Sequence, residues 1–219
     1  MTNTCLSSAR GRLLLPSLFV LLLLLAACDT SDPEETGLDT EPDIGCLEAD
    51  ELRIYVPPRA SYLRLSDRDV DRGAESSTPT SLASLGIGAG DQLRLERFGE
   101  FQYNSQHPDL VYYGMLVLFS SSSELLPHTE RHRVPGALAA GEPHTSRPTF
   151  TGNLPTNIPE DFVVGMEPNG NPTVPHDEPV FVTVPEGAQY LFLSPEDDNF
   201  WDNLDQDEDF ALCITIVNS

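Results

Sequence analysis

Eight carboxylates fall within fourteen residues near the end of the chain: Glu196, Asp197, Asp198, Asp202, Asp205, Asp207, Glu208 and Asp209. Asn199 and Asn203 lie among them, and no basic residue does. Oxygen donors at this density suit a hard cation, and calcium takes six to eight of them. Held between two strand-like runs, such charges repel one another unless they are solvated or neutralised. The loop is therefore a candidate calcium site, with Asp197, Asp198, Asp202 and Asp205 among its ligands. A solvated acidic loop on an acidic protein is the alternative. Trp201, beside Phe200, offers an aromatic face that either stacks against a sugar ring or plugs the end of a sandwich.

Other chemistry is poorly supported. Residues 205–209 begin like an EF-hand loop, but Phe210 stands where the sharp turn needs glycine, and no helices flank it. His128 and His132 have the spacing of helical metal ligands, yet Glu130 is misplaced for a metalloprotease motif and Pro127 and Pro135 bracket the pair. The serine run 120–123 lacks a nucleophile-elbow pattern. The carboxylates crowd into one loop instead of facing each other across a cleft, which argues against a glycosidase. The expectation is a protein that is not an enzyme.

At the other end, Arg10 and Arg12 precede an apolar run from Leu13 to Ala27, too short to span a bilayer as a stable helix. This reads as a signal peptide over residues 1–27. Leu25-Ala26-Ala27-Cys28 resembles the bacterial lipobox, which implies that Cys28 is lipidated after cleavage and tethers the chain to a membrane of the cell envelope. Without residues 1–27 the chain carries 35 acidic and 10 basic residues, a formal charge of −25, which excludes nucleic acid as a partner. Residues 28–45 have almost no apolar content and are expected to form a disordered tether. Removing Cys5 and assigning Cys28 leaves Cys46 and Cys213 as the only pair in an oxidising compartment. A disulfide between them would close a loop of some 167 residues, which chain entropy values at roughly 4 to 5 kcal/mol.

These loops must be positioned by strands. Nineteen prolines and fifteen glycines, with short Val, Leu, Ile and Phe runs, point to an all-β sandwich over residues 46–219. Strands are expected at 52–56, 62–65, 92–98, 111–120, 180–184, 190–193 and 210–217, and no stretch carries a convincing helical period. Gln92 to Glu96 alternates as a half-buried strand does, whereas 111–119, VYYGMLVLF, is apolar on both faces and reads as a central strand. Residues 124–178 hold nine prolines and little alternation, and only Phe162-Val163-Val164 looks strand-like. This proline-rich segment is expected as a loop-rich insertion on one side of the sandwich.

Gly90-Asp91-Gln92-Leu93-Arg94-Leu95 opens a strand, Gly99 and Tyr103 follow nine and thirteen residues after Gly90, and His107-Pro108-Asp109 comes next. This order resembles the bacterial calcium-dependent galactophilic lectin family, a small jelly-roll β-sandwich. Phe181 to Phe192 resembles that family's strand-turn-strand before its calcium loop, and Asp202-Asn203 followed by Phe210 to Ile216 resembles its loop amides and closing strand. The resemblance implies that the main-chain carbonyl of Tyr103 binds calcium, with Asp202 and Asn203 as further ligands. It also implies that His107, with Asp109 beside it, and Asp202 contact a carbohydrate. Counted back without gaps, the family's loop aspartate falls on Pro195, and a shifted alignment places Asp197 or Asp198 there. Such an ion can share its coordination shell with two sugar hydroxyls. Two functions follow as expectations. One is an envelope lipoprotein whose lectin-like domain binds calcium and a carbohydrate. The other is a structural lipoprotein of the same fold, whose 124–178 segment offers a surface to a protein partner.

Overall fold

Alternating apolar residues build two antiparallel sheets in the computed structural model, which describes residues 51–141, 146–151 and 153–217. The expected signal peptide, Cys28, the tether and Cys46 lie outside the described residues. Eight strands form the main path of the two sheets, with a short ninth, Ala137–Leu138, pairing with the fourth: β1 (Leu52–Tyr55), β2 (Thr80–Ser81), β3 (Gln92–Phe98), β4 (Met115–Ser120), β5 (Phe162–Val164), β6 (Val180–Thr183), β7 (Tyr190–Pro195) and β8 (Ala211–Val217). The first sheet has the order β1-β8-β3-β6 and the second β5-β4-β7-β2. The first strand thus pairs with the eighth, the second with the seventh, the third with the sixth and the fourth with the fifth, all antiparallel. In the first sheet β3 and β8 run in long register, Phe98 opposite Ala211 through Gln92 opposite Val217.

Side-chain alternation fixes what each face meets. Leu93 and Leu95 of β3, Val182 of β6, and Leu212 and Ile214 of β8 point inward to Met115, Val117 and Phe119 of β4 and to Leu191 and Leu193 of β7, forming one buried core. Phe181, on the opposite face of the first sheet, is 56% exposed. The second sheet has no such open face. Leu116 and Leu118 of β4 and Phe192 of β7 are fully buried against a second core made by Tyr62, Leu63, Leu65, Val134, Ile158 and Phe200. The molecule is therefore all-β, with an irregular layer covering the outer face of one sheet.

Two expected strands are corrected. Residues 62–65 are not a strand. They are apolar because they cover β4 and β7, and the ladder nearby is a short parallel one between Ala60–Ser61 and Glu75–Ser76. Residues 111–120 are not one strand either. Val111–Tyr112 pairs with Phe101–Gln102 in a separate ribbon, and the chain crosses to β4 at Gly114, where a Cβ would come within 2.9 Å of the Glu196 Cβ. Within residues 124–178 the strand-like run Phe162-Val163-Val164 is a strand. β5 borders β4, and Ala137–Leu138 continues along the same edge.

A helix of five residues, Asp67–Asp71, starts at a capping box in which Ser66 and Asp69 exchange hydrogen bonds. The covering layer is clamped by Arg133, which is 2% exposed and donates to the carbonyls of Leu126, Ser61 and Leu63 and to the Ser76 hydroxyl. Cys213 of β8 is buried and disulfide-bonded.

Candidate metal and ligand site

The acidic loop leaves β7 after Pro195 and returns at β8, and three contacts fix its path. The Glu196 N–H donates to the Gly114 carbonyl. Phe200, in a short 3-10 turn (Phe200–Asp202), is buried in the second core. Leu204 exchanges two main-chain hydrogen bonds with Gln102, at 2.7 and 2.8 Å. This last pairing brings the chain at Tyr103 alongside Asn203, and the Tyr103 ring stacks on Tyr112 at 3.9 Å between centroids.

The six expected metal ligands do not converge on one point. Asp197 and Asn203 form an inner pair. Asp197 is 7% exposed and Asn203 fully buried. One oxygen of Asp197 accepts from the Asp198 N–H, and the Asn203 amide donates to the Pro58 carbonyl. The remaining oxygens, Asp197 Oδ2 and Asn203 Oδ1, are buried and have no hydrogen-bond partner. Burial drives the Asp197 carboxyl well above the usual carboxylate range, and the Asp198 carboxylate adds to the rise, while the hydrogen bond from the Asp198 N–H opposes it. Two buried acceptors without a donor are costly. Such oxygens are of the donor type that hard cations take.

Asp202 turns elsewhere. Its side chain accepts from the Asn199 amide at 2.7 Å, and its carbonyl from the Ser105 N–H. Its carboxyl is raised by burial and by Asp69, against Arg68 and Arg59. Asp205 gathers with Asp207 and Asp209, the three offering oxygens within 4.8 Å of one another, the one such carboxylate trio among the described residues. This trio is partly exposed, and burial followed by mutual repulsion raises both Asp205 and Asp209. Gly99 makes room for it. With φ at +66°, it has no side chain where a Cβ would lie 2.8 Å from the Asp209 main chain.

The expected sugar contacts are dispersed. His107 and Asp109 are exposed on the loop after Tyr103. Trp201 is covered by cations, with the guanidinium of Arg72 4.2 Å and that of Arg68 5.5 Å from the ring centroid. It is therefore not an open stacking platform.

Two adjoining hollows lie beside Asp197 instead. The smaller, about 240 Å³, is walled by Tyr112, Arg147, Glu196, Asp197 and Asp198. Within it Arg147 makes a two-pronged pair with Glu196, at 2.7 and 2.9 Å, and Glu196 is 1% exposed. Burial raises the Tyr112 phenol to about 12, assisted by the charge of Asp197. The larger, about 700 Å³, runs past Arg64, Arg68, Asp69 and Asn199. Phe150 and Asp198 belong to the walls of both. Arg147 and Phe150 come from the segment read as an insertion, and Arg64 and Asp69 from the covering layer. No motif marks them, and the single usable signal is the capping-box spacing of Ser66 and Asp69. Compared with family models, curated proteins and solved structures, the chain matches none.

Proposed function

We propose that the two sheets are a jelly roll, and that the chain is a lipid-anchored protein of the bacterial envelope whose loop end binds calcium beside a carbohydrate. The pairing of strand one with eight, two with seven, three with six and four with five supports the jelly roll, because a long antiparallel hairpin rolled into two sheets produces that order. The lipobox-like Cys28 supports the anchor, and the disulfide-bonded state of Cys213 supports its pairing with Cys46. A single observation carries the calcium reading: Asp197 Oδ2 and Asn203 Oδ1 are buried acceptors with nothing to accept. Either a shared proton or a cation would satisfy them. A chain of formal charge −23 favours the divalent cation at neutral pH.

Calorimetric titration of calcium into chelated protein at pH 7.5, with the Asp197→Asn variant alongside, tests this. Wild type is expected to bind one ion at this site. At a hundredfold excess over Kd the ion adds about 2.7 kcal/mol of stability, or roughly 5 to 10 °C in Tm for a domain of this size. Asp197→Asn keeps the shape and supplies an N–H to Asn203, so it should fold as well as wild type in chelator while losing the calcium shift. Equal calcium shifts in both proteins would leave the pair holding a proton.

A further inference from the structure

We propose that the groove formed by the two adjoining hollows binds a neutral oligosaccharide of at least two rings, with Phe150 as its stacking residue. This deepens the carbohydrate part of the preceding reading and does not need the ion. Phe150 is 46% exposed, a large apolar face shared by the walls of both hollows. An aromatic face is electron-rich and attracts the polarised C–H groups on one side of a sugar ring. A ring stacked there has a hollow on each side, so a ligand that fills the groove is longer than one ring.

The polar groups fit hydroxyls better than they fit charges. A hydroxyl both donates and accepts. The larger hollow offers donors on Arg64 and Asn199 and acceptors on Asp69 and Asp198. Two of these side chains have unused capacity. Arg64 Nη1 and Asp69 Oδ1 are buried atoms with no hydrogen-bond partner, and Asp69 as a residue is 2% exposed. One orphan donor and one orphan acceptor in the same wall match a ligand that carries both functions. An anion would meet Asp69 and Asp198, and a cation would meet Arg64 and Arg68. Arg147, in the smaller hollow, is already matched to Glu196. On so acidic a chain, a groove with both signs facing each other selects against charged ligands.

The test is an array of neutral and acidic glycans of one to six rings, read with the full chain in calcium and in chelator. Phe150→Ala is run beside Phe181→Ala, which removes a similarly exposed aromatic from the first sheet. The expected result is binding of neutral glycans of two or more rings, weakened at least tenfold by Phe150→Ala and not by Phe181→Ala. Absence of glycan binding, binding of acidic glycans alone, monosaccharides bound as well as longer chains, or equal binding by Phe150→Ala would each overturn the proposal. Calcium titration of the same samples separates the two readings. Glycan binding that survives chelation in a protein with no calcium site leaves the groove standing alone. Calcium binding without glycan removes the groove alone.

Discussion

Asp161 shows how a single buried carboxyl ties the covering layer together and what it costs. It is fully buried and accepts from the Tyr62 hydroxyl at 3.1 Å and from the Ser146 hydroxyl. Burial raises its pKa to about 7, although both hydrogen bonds pull the other way. In the unfolded chain the same group titrates near 4. The folded state therefore holds the proton more tightly between about pH 4 and 7, and the stabilising effect of that proton is lost as pH rises through this window. Above it the fold carries a buried charge at a cost of up to ~4 kcal/mol. Asp161→Asn, which is neutral at every pH, should raise stability in urea at pH 8 and change it little at pH 4. An equal effect at both values would show that the carboxyl is not buried as a charge.

At the level of elements, alternation was legible wherever one face of a strand meets solvent. Residues 92–98 were found to the residue as β3, because Leu93 and Leu95 face the core while Arg94 and Glu96 face out. The apolar run in β4 was also readable as central. What could not be read was the cover on its second face, since Tyr62, Leu63 and Leu65 carry the same apolar types whether they sit in a sheet or on one. β2 has two residues, Thr80 and Ser81, and owes its pairing with Leu191 and Tyr190 entirely to tertiary context. The acidic loop was conspicuous as a source of ligands, but its partition into buried Asp197 and Asn203, an Asp202 bonded to Asn199, and an outer trio depends on chain reversals that composition does not encode. Arg147 and Phe150 were invisible because a groove wall contributed by a distant loop leaves no local pattern. The two-faced burial of β4 has a measurable consequence. Leu118→Ala, on the face that an ordinary sandwich would leave to solvent, should cost 2 to 5 kcal/mol in urea denaturation, whereas Phe181→Ala on the first sheet should stay within about 0.5 kcal/mol. A mild effect at Leu118 would mean that the covering layer is only loosely attached. For the same reason residues 124–178 cannot be deleted as a detachable partner surface, because β5 would go with them.

Across the whole molecule, charge and burial act in one direction. Glu96, Asp161, Asp197, Asp202, Asp205 and Asp209 all have their carboxyls raised, with burial the first cause in each. Each binds its proton more tightly folded than unfolded, so their combined effect makes the calcium-free protein less stable as pH rises from about 4 towards 7. Repulsion among the carboxylates of a chain of charge −23 adds to this trend, and it is screened by salt with a Debye length of about 10 Å at 0.1 M. In the proposed site a divalent cation would take the place of the proton on Asp197, whose carboxyl burial raises. Urea denaturation in chelator is therefore expected to show stability falling between pH 4.5 and 7.5, with sodium chloride recovering part of the loss. Calcium should recover more at millimolar concentration than sodium does at a hundred millimolar, and its effect should grow as pH rises, because protons compete for the raised Asp197 carboxyl. Stability that climbs with pH in chelator would mean that these carboxylates are stabilised as charges by partners in the fold. Calcium and sodium acting alike at equal ionic strength would reduce the ion to screening and return the acidic loop to a solvated face.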